Sequence, residues 1–376
     1  MHAFRLDNGL TVRLEPMPQR RTCAIALWLG GGSRGDPPDQ HGAAHLLEHL
    51  LVRRALARRE ELPLNGQTGR ERIALFALVE AGEVPAVLQA LVGAVTEMAH
   101  GGEPVPPTAF EAERAAVLAE LATADPDAAT EDAALASLWP LTPLARTPAG
   151  DPAHVKALRP PDLAAAVRRT FCGLNLLLTV AGGFAPADVA RLAAPLAALP
   201  AGSAQAPMAP AAPWPRRQPG WPLWWLPLPA GADPTAGTHL TQLLRDAPGG
   251  LLFDTLRAEG QGYGCAAHYL AFTDRHGVLL RPRVAPAQIS GAQTRIAATL
   301  AAAAQHGVSA AQYDGARRWL CRQLAVTRDD LLACCSLLAA RWARGPSLKV
   351  EPNQPLSPEA LQALLRQAWS QRSGPL

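Results

Sequence analysis

Aromatic side chains are scarce in this chain: 376 residues include only 3 tyrosines and 7 phenylalanines. No basic stretch is interleaved with aromatics, as a nucleic-acid surface would require. The net charge of +3 is small for the length, and the pairs Arg53-Arg54 and Arg58-Arg59 read as a solvated helix face. No apolar segment reaches the length needed to span a bilayer. The first residues, Met1 to Asp7, carry no basic region followed by an apolar run. None of the six cysteines is arranged as a C-x-x-C ligand pair, and Cys334 and Cys335 sit in an apolar helical stretch. Reduced core thiols are therefore expected. These absences predict a cytoplasmic protein with neither nucleic-acid nor membrane partners.

Hydrophobic residues at 48% and charged residues at 18% give a globular balance. The length allows two domains, each with its own core. Pro200, Pro207, Pro210, Pro213, Pro215 and Pro219 exclude regular structure and mark a linker. The expected organisation is a first domain over 1–200, a Pro-rich linker over 201–220 and a second domain over 221–376.

Within the first domain, Asp7-Asn8-Gly9 predicts a hairpin turn between strands at 4–6 and 10–14. Residues 23–29 and 73–79 read as strands, 42–59, 85–99, 107–124 and 151–171 as helices, and 175–181 as a strand. Residues 65–68 are loop-like by local signals. The order of elements restarts after the linker, with strands at 223–228, 263–272 and 277–284 and long helices from residue 286.

The informative segment is His45-Leu46-Leu47-Glu48-His49. On a helix, positions i and i+4 share one face, so His45 and His49 can present two imidazole nitrogens to one cation. Catalytic zinc keeps three protein ligands and an open position for water, which requires a third group from elsewhere, usually a carboxylate. Glu48 is placed to reach the edge of such a site as a general base without being a ligand. The motif is the inverted form of the H-E-x-x-H zinc helix.

Gly42-Ala43-Ala44-His45-Leu46-Leu47-Glu48-His49-Leu50 resembles the signature of the pitrilysin/insulysin family of zinc peptidases. Asn8-Gly9-Leu10-Thr11-Val12 and Gly31-Gly32-Ser33-Arg34 are similar to that family's first hairpin and the loop before its catalytic helix. The resemblance implies two homologous α+β domains, each a mostly antiparallel sheet with helices packed on one face. It implies a zinc metalloendopeptidase cleaving short unfolded peptides, with Glu111 as the third ligand. Glu113 is the nearest alternative and Glu120 a supporting carboxylate. The interval from His49 to Glu111 is shorter than usual for the family, the shortage falling between Arg53 and Pro63.

The run Asn65-Gly66-Gln67-Thr68-Gly69-Arg70-Glu71-Arg72 looks like the family's edge strand, where an asparagine faces substrate. It is particularly similar to the subgroup acting in pyrroloquinoline quinone biosynthesis, which suggests the precursor peptide of that pathway as substrate. Residues 256–264 are similar to a segment in which Arg257 and Tyr263 would hold the substrate. Family members close four such domains around a chamber, so a second copy or a homologous subunit is expected as partner. A non-catalytic scaffold subunit of the same fold is the alternative reading.

Overall fold

The Asp7-Asn8-Gly9 turn folds the chain back on itself in the computed structural model. The residues described are 2–100, 106–123, 126–140, 142–203, 223–229, 232–245, 247–257, 262–340, 342 and 354–373. Strand β1 (His2–Arg5) pairs antiparallel with β2 (Thr11–Pro16), His2 opposite Leu14. With β3 (Thr22–Gly30), β4 (Leu64–Thr68), β5 (Arg72–Glu80) and β6 (Leu176–Gly182) they form one sheet in the order β1-β2-β6-β3-β5-β4. Its pairings are antiparallel except β2 with β6. Strand β4 occupies the stretch whose Asn-Gly reads locally as a loop. Pairing with β5, Asn65 opposite Phe76, overrides that turn signal.

The helices of this unit are α1 (Ala43–Leu56), α2 (Val84–His100), α3 (Pro107–Leu121), α4 (Pro126–Leu138), α5 (Pro152–Ala157), α6 (Pro160–Thr170) and α7 (Pro186–Ala193). The single helix expected over 151–171 is two. Asp151 caps α5, and Pro160, which has no N–H to continue a helix, starts α6. Alternation along β3 sorts the core. Cys23, Ile25, Leu27 and Leu29 are buried in the cluster shared with α1 and α2, while Ala24 and Ala26 face the other way.

A second unit carries the antiparallel sheet β7 (Trp224–Pro227), β8 (Gly262–Ala271) and β9 (His276–Val284), in the order β7-β9-β8. Its helices are α8 (Pro234–Leu244), α9 (Phe253–Arg257), α10 (Ile289–His306) and α11 (Ala310–Asp329). Next along the chain come α12 (Leu331–Ala340) and α13 (Pro358–Ser370), of which α13 closes the second core with Leu361, Leu364 and Leu365. No described helix is long and apolar enough to cross a membrane.

Compactness groups Met1–Ala211 with Arg328–Val350, and Ala212–Thr327 with Glu351–Leu376. Position along the chain alone puts all of 221–376 in the second domain, yet α12 belongs to the first unit. Its Leu331, Cys334 and Cys335 pack on Ala24, Ala26 and Ala181, the small-residue face of β3 and β6. The buried Arg13 donates to the Leu338 carbonyl at 2.5 Å and Arg72 to the Ala339 carbonyl at 3.3 Å, placing two cations at the C-terminal end of that helix. The first sheet thus carries a helix on the face opposite α1 and α2. Most of the expected linker, residues 204–220, lies outside the described residues.

Candidate metal centre

Helix α1 starts from Gly42 at φ +112°. A Cβ there would lie 2.5 Å from Val155 Cγ2, and one on Gly150 would lie 2.7 Å from Gly42 Cα, so the two backbones touch only because both residues are glycine. The buried Asp36 accepts from Gly42 N–H at 2.9 Å and Ala44 N–H at 3.0 Å, capping the helix. Burial pushes the Asp36 carboxyl up to about 7, against those two bonds and the nearby Arg169 and Arg146.

The close approach at Gly42 brings the Ala149 carbonyl to His45 Nδ1 at 2.9 Å. A carbonyl can only accept, so Nδ1 carries the proton and Nε2 is left with its lone pair free. One turn on, His49 Nδ1 donates to Glu113 Oε2 at 3.2 Å, and Arg53 Nη1 holds Glu113 Oε1 at 2.7 Å. Both imidazoles thereby offer Nε2 to the same space. Glu120 of α3 meets them there, with its two oxygens 3.4 Å from His45 Nε2 and 3.5 Å from His49 Nε2.

Ligand atoms of His45, His49 and Glu120 all lie within 4.8 Å of one another, the one such metal-capable group among the described residues. The donor set suits zinc: two neutral imidazole nitrogens and a carboxylate, with each imidazole held from behind by an acceptor.

Glu48 is buried beside them. Burial raises its pKa, opposed by His45, His49 and a hydrogen bond from Thr68 Oγ1 at 3.1 Å. The centre opens on a cavity of about 750 Å³ whose walls include Val52, Leu56, Asn65 and Gln67.

Two expected site residues, Asn65 and Glu48, thus line the same cavity as the histidine pair. Glu111 does not: its carboxylate is taken by Arg114 at 2.5 Å, and its side chain is 60% exposed. On α3, Glu111 and Glu120 are nine residues apart, about two and a half turns, so they point to opposite sides. The structure thus groups Glu120, not Glu111, with the two histidines, and sets Glu113 behind His49. The signal available in the sequence was the seven-residue spacing of Glu113 and Glu120, which places both on one helix face.

In the second unit, Arg257 ends α9 exposed, its guanidinium 4.5 Å from the Phe253 ring centre. Tyr263 belongs to β8, and its side chain lies outside the described residues. All six cysteines are free thiols, five of them buried.

Residues 11–151 match the family model of the insulinases, peptidase family M16. The chain is 27% identical over 215 residues to the mitochondrial-processing peptidase subunit beta of Blastocladiella emersonii, covering 54% of this chain and 45% of that protein. It spans less than half the length of the curated relatives it matches. Its fold is similar to that of an inactive M16 peptidase domain from Pseudomonas fluorescens, with a TM-score of 0.78 at 17% identity over 100% of this chain and 98% of that one. It is also similar to pitrilysin, with a TM-score of 0.74 at 16% identity over 99% of this chain and 44% of that one. The family model matches residues 11–151, and over the rest of the chain the likeness is one of fold, the sheets and helices being those of these two-domain neighbours.

Proposed function

We propose, from the M16 match that runs through both histidines and Glu120, that this chain is a zinc-dependent endopeptidase subunit acting on extended, unfolded peptides. The observation that carries the reading is the convergence of His45, His49 and Glu120 beside the buried Glu48. Bound zinc would supply Lewis-acid polarisation of the scissile carbonyl and lower the pKa of a water toward ~7. Glu48 takes the proton from the attacking water and returns it to the leaving nitrogen, a role its raised pKa suits. His45 and His49 keep their Nε2 lone pairs directed at the centre because Ala149 and Glu113 hold the opposite nitrogens.

Strand β4 ends the sheet and, among the described residues, pairs as a strand with β5 alone. Its other edge can pair with an extended peptide through backbone groups, with Asn65 at the mouth of the cavity. An extended, unfolded peptide offers backbone groups along its whole length to such an edge, which supports unfolded peptide as the substrate class.

The reading includes a homologous subunit, as a second copy or a different chain, supported by the likeness to a peptidase subunit and to pitrilysin, of which this chain covers 44%. Arg257 and Tyr263 would serve the zinc site of that partner by holding substrate, supported by the resemblance of residues 256–264. The narrower substrate, the precursor peptide of pyrroloquinoline quinone, is supported only by the resemblance of residues 65–72, and a cytoplasmic location only by the free cysteines. A non-catalytic subunit is the second reading, favoured by the likeness to an inactive domain. The complete His45, His49, Glu120 and Glu48 set favours activity.

Elemental analysis combined with digestion of a mixed peptide library tests this. Stoichiometric zinc with cleavage that a chelator abolishes and zinc restores is the expected result. Stoichiometric zinc with no cleavage, alone or with a homologous subunit added, would establish the non-catalytic reading instead.

A further inference from the structure

Residues 64, 66 and 68 of β4 share one side of the strand and are less exposed than Asn65 and Gln67 between them. Two of the three meet Glu48. Thr68 Oγ1 donates to Glu48 Oε2 at 3.1 Å. At Gly66 an added Cβ would stand 2.1 Å from Glu48 Oε1. One oxygen of the carboxylate is therefore tied by a hydroxyl, and the other has room only because residue 66 lacks a side chain.

The far end of β4 is itself tied down. Ser33 N–H donates to the Gly69 carbonyl at 3.1 Å and Arg34 N–H to the Arg70 carbonyl at 2.7 Å. Arg34 pairs with Glu71 at 2.6 Å, both side chains nearly buried. Arg70 donates to the Leu144 carbonyl at 3.0 Å and pairs with Asp132. A turn held by this many partners leaves the Thr68 hydroxyl little freedom, which is what a group orienting another side chain needs.

We propose that Thr68 and Gly66 are positioning residues for Glu48, so that the strand offered to the peptide also sets the orientation of the general base. The inference rests on the peptidase reading given above. It implies that substrate pairing with β4 and placement of the base are mechanically linked. A peptide that adds to β4 stiffens the strand carrying both contacts to Glu48. Asn65 and Gln67, on the alternate side, are free of this duty and can vary with substrate.

The test uses the zinc-loaded full chain and three variants, with crystal structures read at Glu48 alongside steady-state kinetics. Thr68→Val keeps the shape and strand propensity but removes the donor. Thr68→Ser keeps the donor, and Gly66→Ala intrudes on Oε1. In Thr68→Val, Glu48 should lose its single orientation and kcat should fall roughly tenfold or more, with KM and zinc content unchanged. Thr68→Ser should restore both, and Gly66→Ala should reproduce the loss.

A Glu48 carboxylate that stays in place in Thr68→Val overturns the proposal whether or not the protein turns over substrate. So does an unchanged kcat in an active enzyme. If the wild type cleaves nothing, alone or with a homologous subunit added, while Glu48 moves as expected, the positioning inference stands and the peptidase reading falls.

Discussion

Glu113 and Glu120 stand seven residues apart on α3, two helical turns, and act on the histidine pair from one face. Glu120 lies within 3.5 Å of both Nε2 atoms, while Glu113 accepts from Nδ1 of His49. One helix thus carries both the carboxylate that meets the two histidines and the group that orients the second of them.

That division of labour separates the acidic residues of α3 by experiment. Glu120→Ala should lower zinc affinity by more than about a hundredfold, beyond the usual cost of losing a supporting residue. Glu111→Ala, removing an exposed partner of Arg114, should leave zinc binding intact and change stability by no more than about 0.5 kcal/mol. Zinc titration against a competing chelator reads both, and a large loss in Glu111→Ala would reverse the assignment.

Glu113→Ala should weaken zinc binding by about 10–100-fold without abolishing it, because His49 keeps its nitrogen but loses the acceptor that fixes its tautomer. Arg53 loses its partner in the same step. The same titration should place this variant between wild type and Glu120→Ala.

Gly42 joins the preceding loop to the helix that carries both histidines. Gly42→Ala would force a side chain into φ +112° and against Val155, at a cost of about 1–3 kcal/mol. Because the same contact sets the Ala149 carbonyl behind His45, zinc affinity should fall with stability. Thermal unfolding of the metal-free protein, followed by zinc titration, measures the two effects. A stable variant with wild-type affinity would contradict this account of the helix start.

His239 makes the second unit sensitive to acid. The imidazole is fully buried, Nδ1 accepts from Leu356 N–H at 3.1 Å, and Nε2 has no hydrogen-bond partner among the described residues. Burial, with Arg317 nearby, lowers its pKa from 6.5 to about 4. Between those values the unfolded chain binds the proton and the native chain does not, so stability rises with pH across the window. It is complete above 6.5 and declines as pH falls toward 4, by up to about 3 kcal/mol. His239→Gln should flatten the pH dependence of the urea midpoint over that range. An unchanged slope would place the acid sensitivity elsewhere.

How much of this was legible in the sequence depends on how local each signal is. The pairing of His45 with His49 follows from helix periodicity within one turn, and Glu48 follows from its place between them. The third ligand was not legible in the same way, because Glu111, Glu113 and Glu120 are all plausible until their helical phase is set against α1. The destination of α12 was hidden for a different reason. Its small apolar residues read as ordinary helix core, and nothing local says that Ala24 and Ala26 on β3, some 300 positions earlier, form the face that receives it. Strand β4 was masked by its own Asn-Gly, since only pairing with β5 overrides that turn preference.

The most direct measurement compares wild type with Glu48→Gln, reading zinc by elemental analysis and cleavage on unfolded peptides. Glutamine keeps the shape of the side chain but cannot accept the proton of the attacking water. The account predicts near-stoichiometric zinc in both proteins and cleavage by the wild type alone. Absence of zinc from the wild type, or undiminished cleavage by Glu48→Gln, would contradict it.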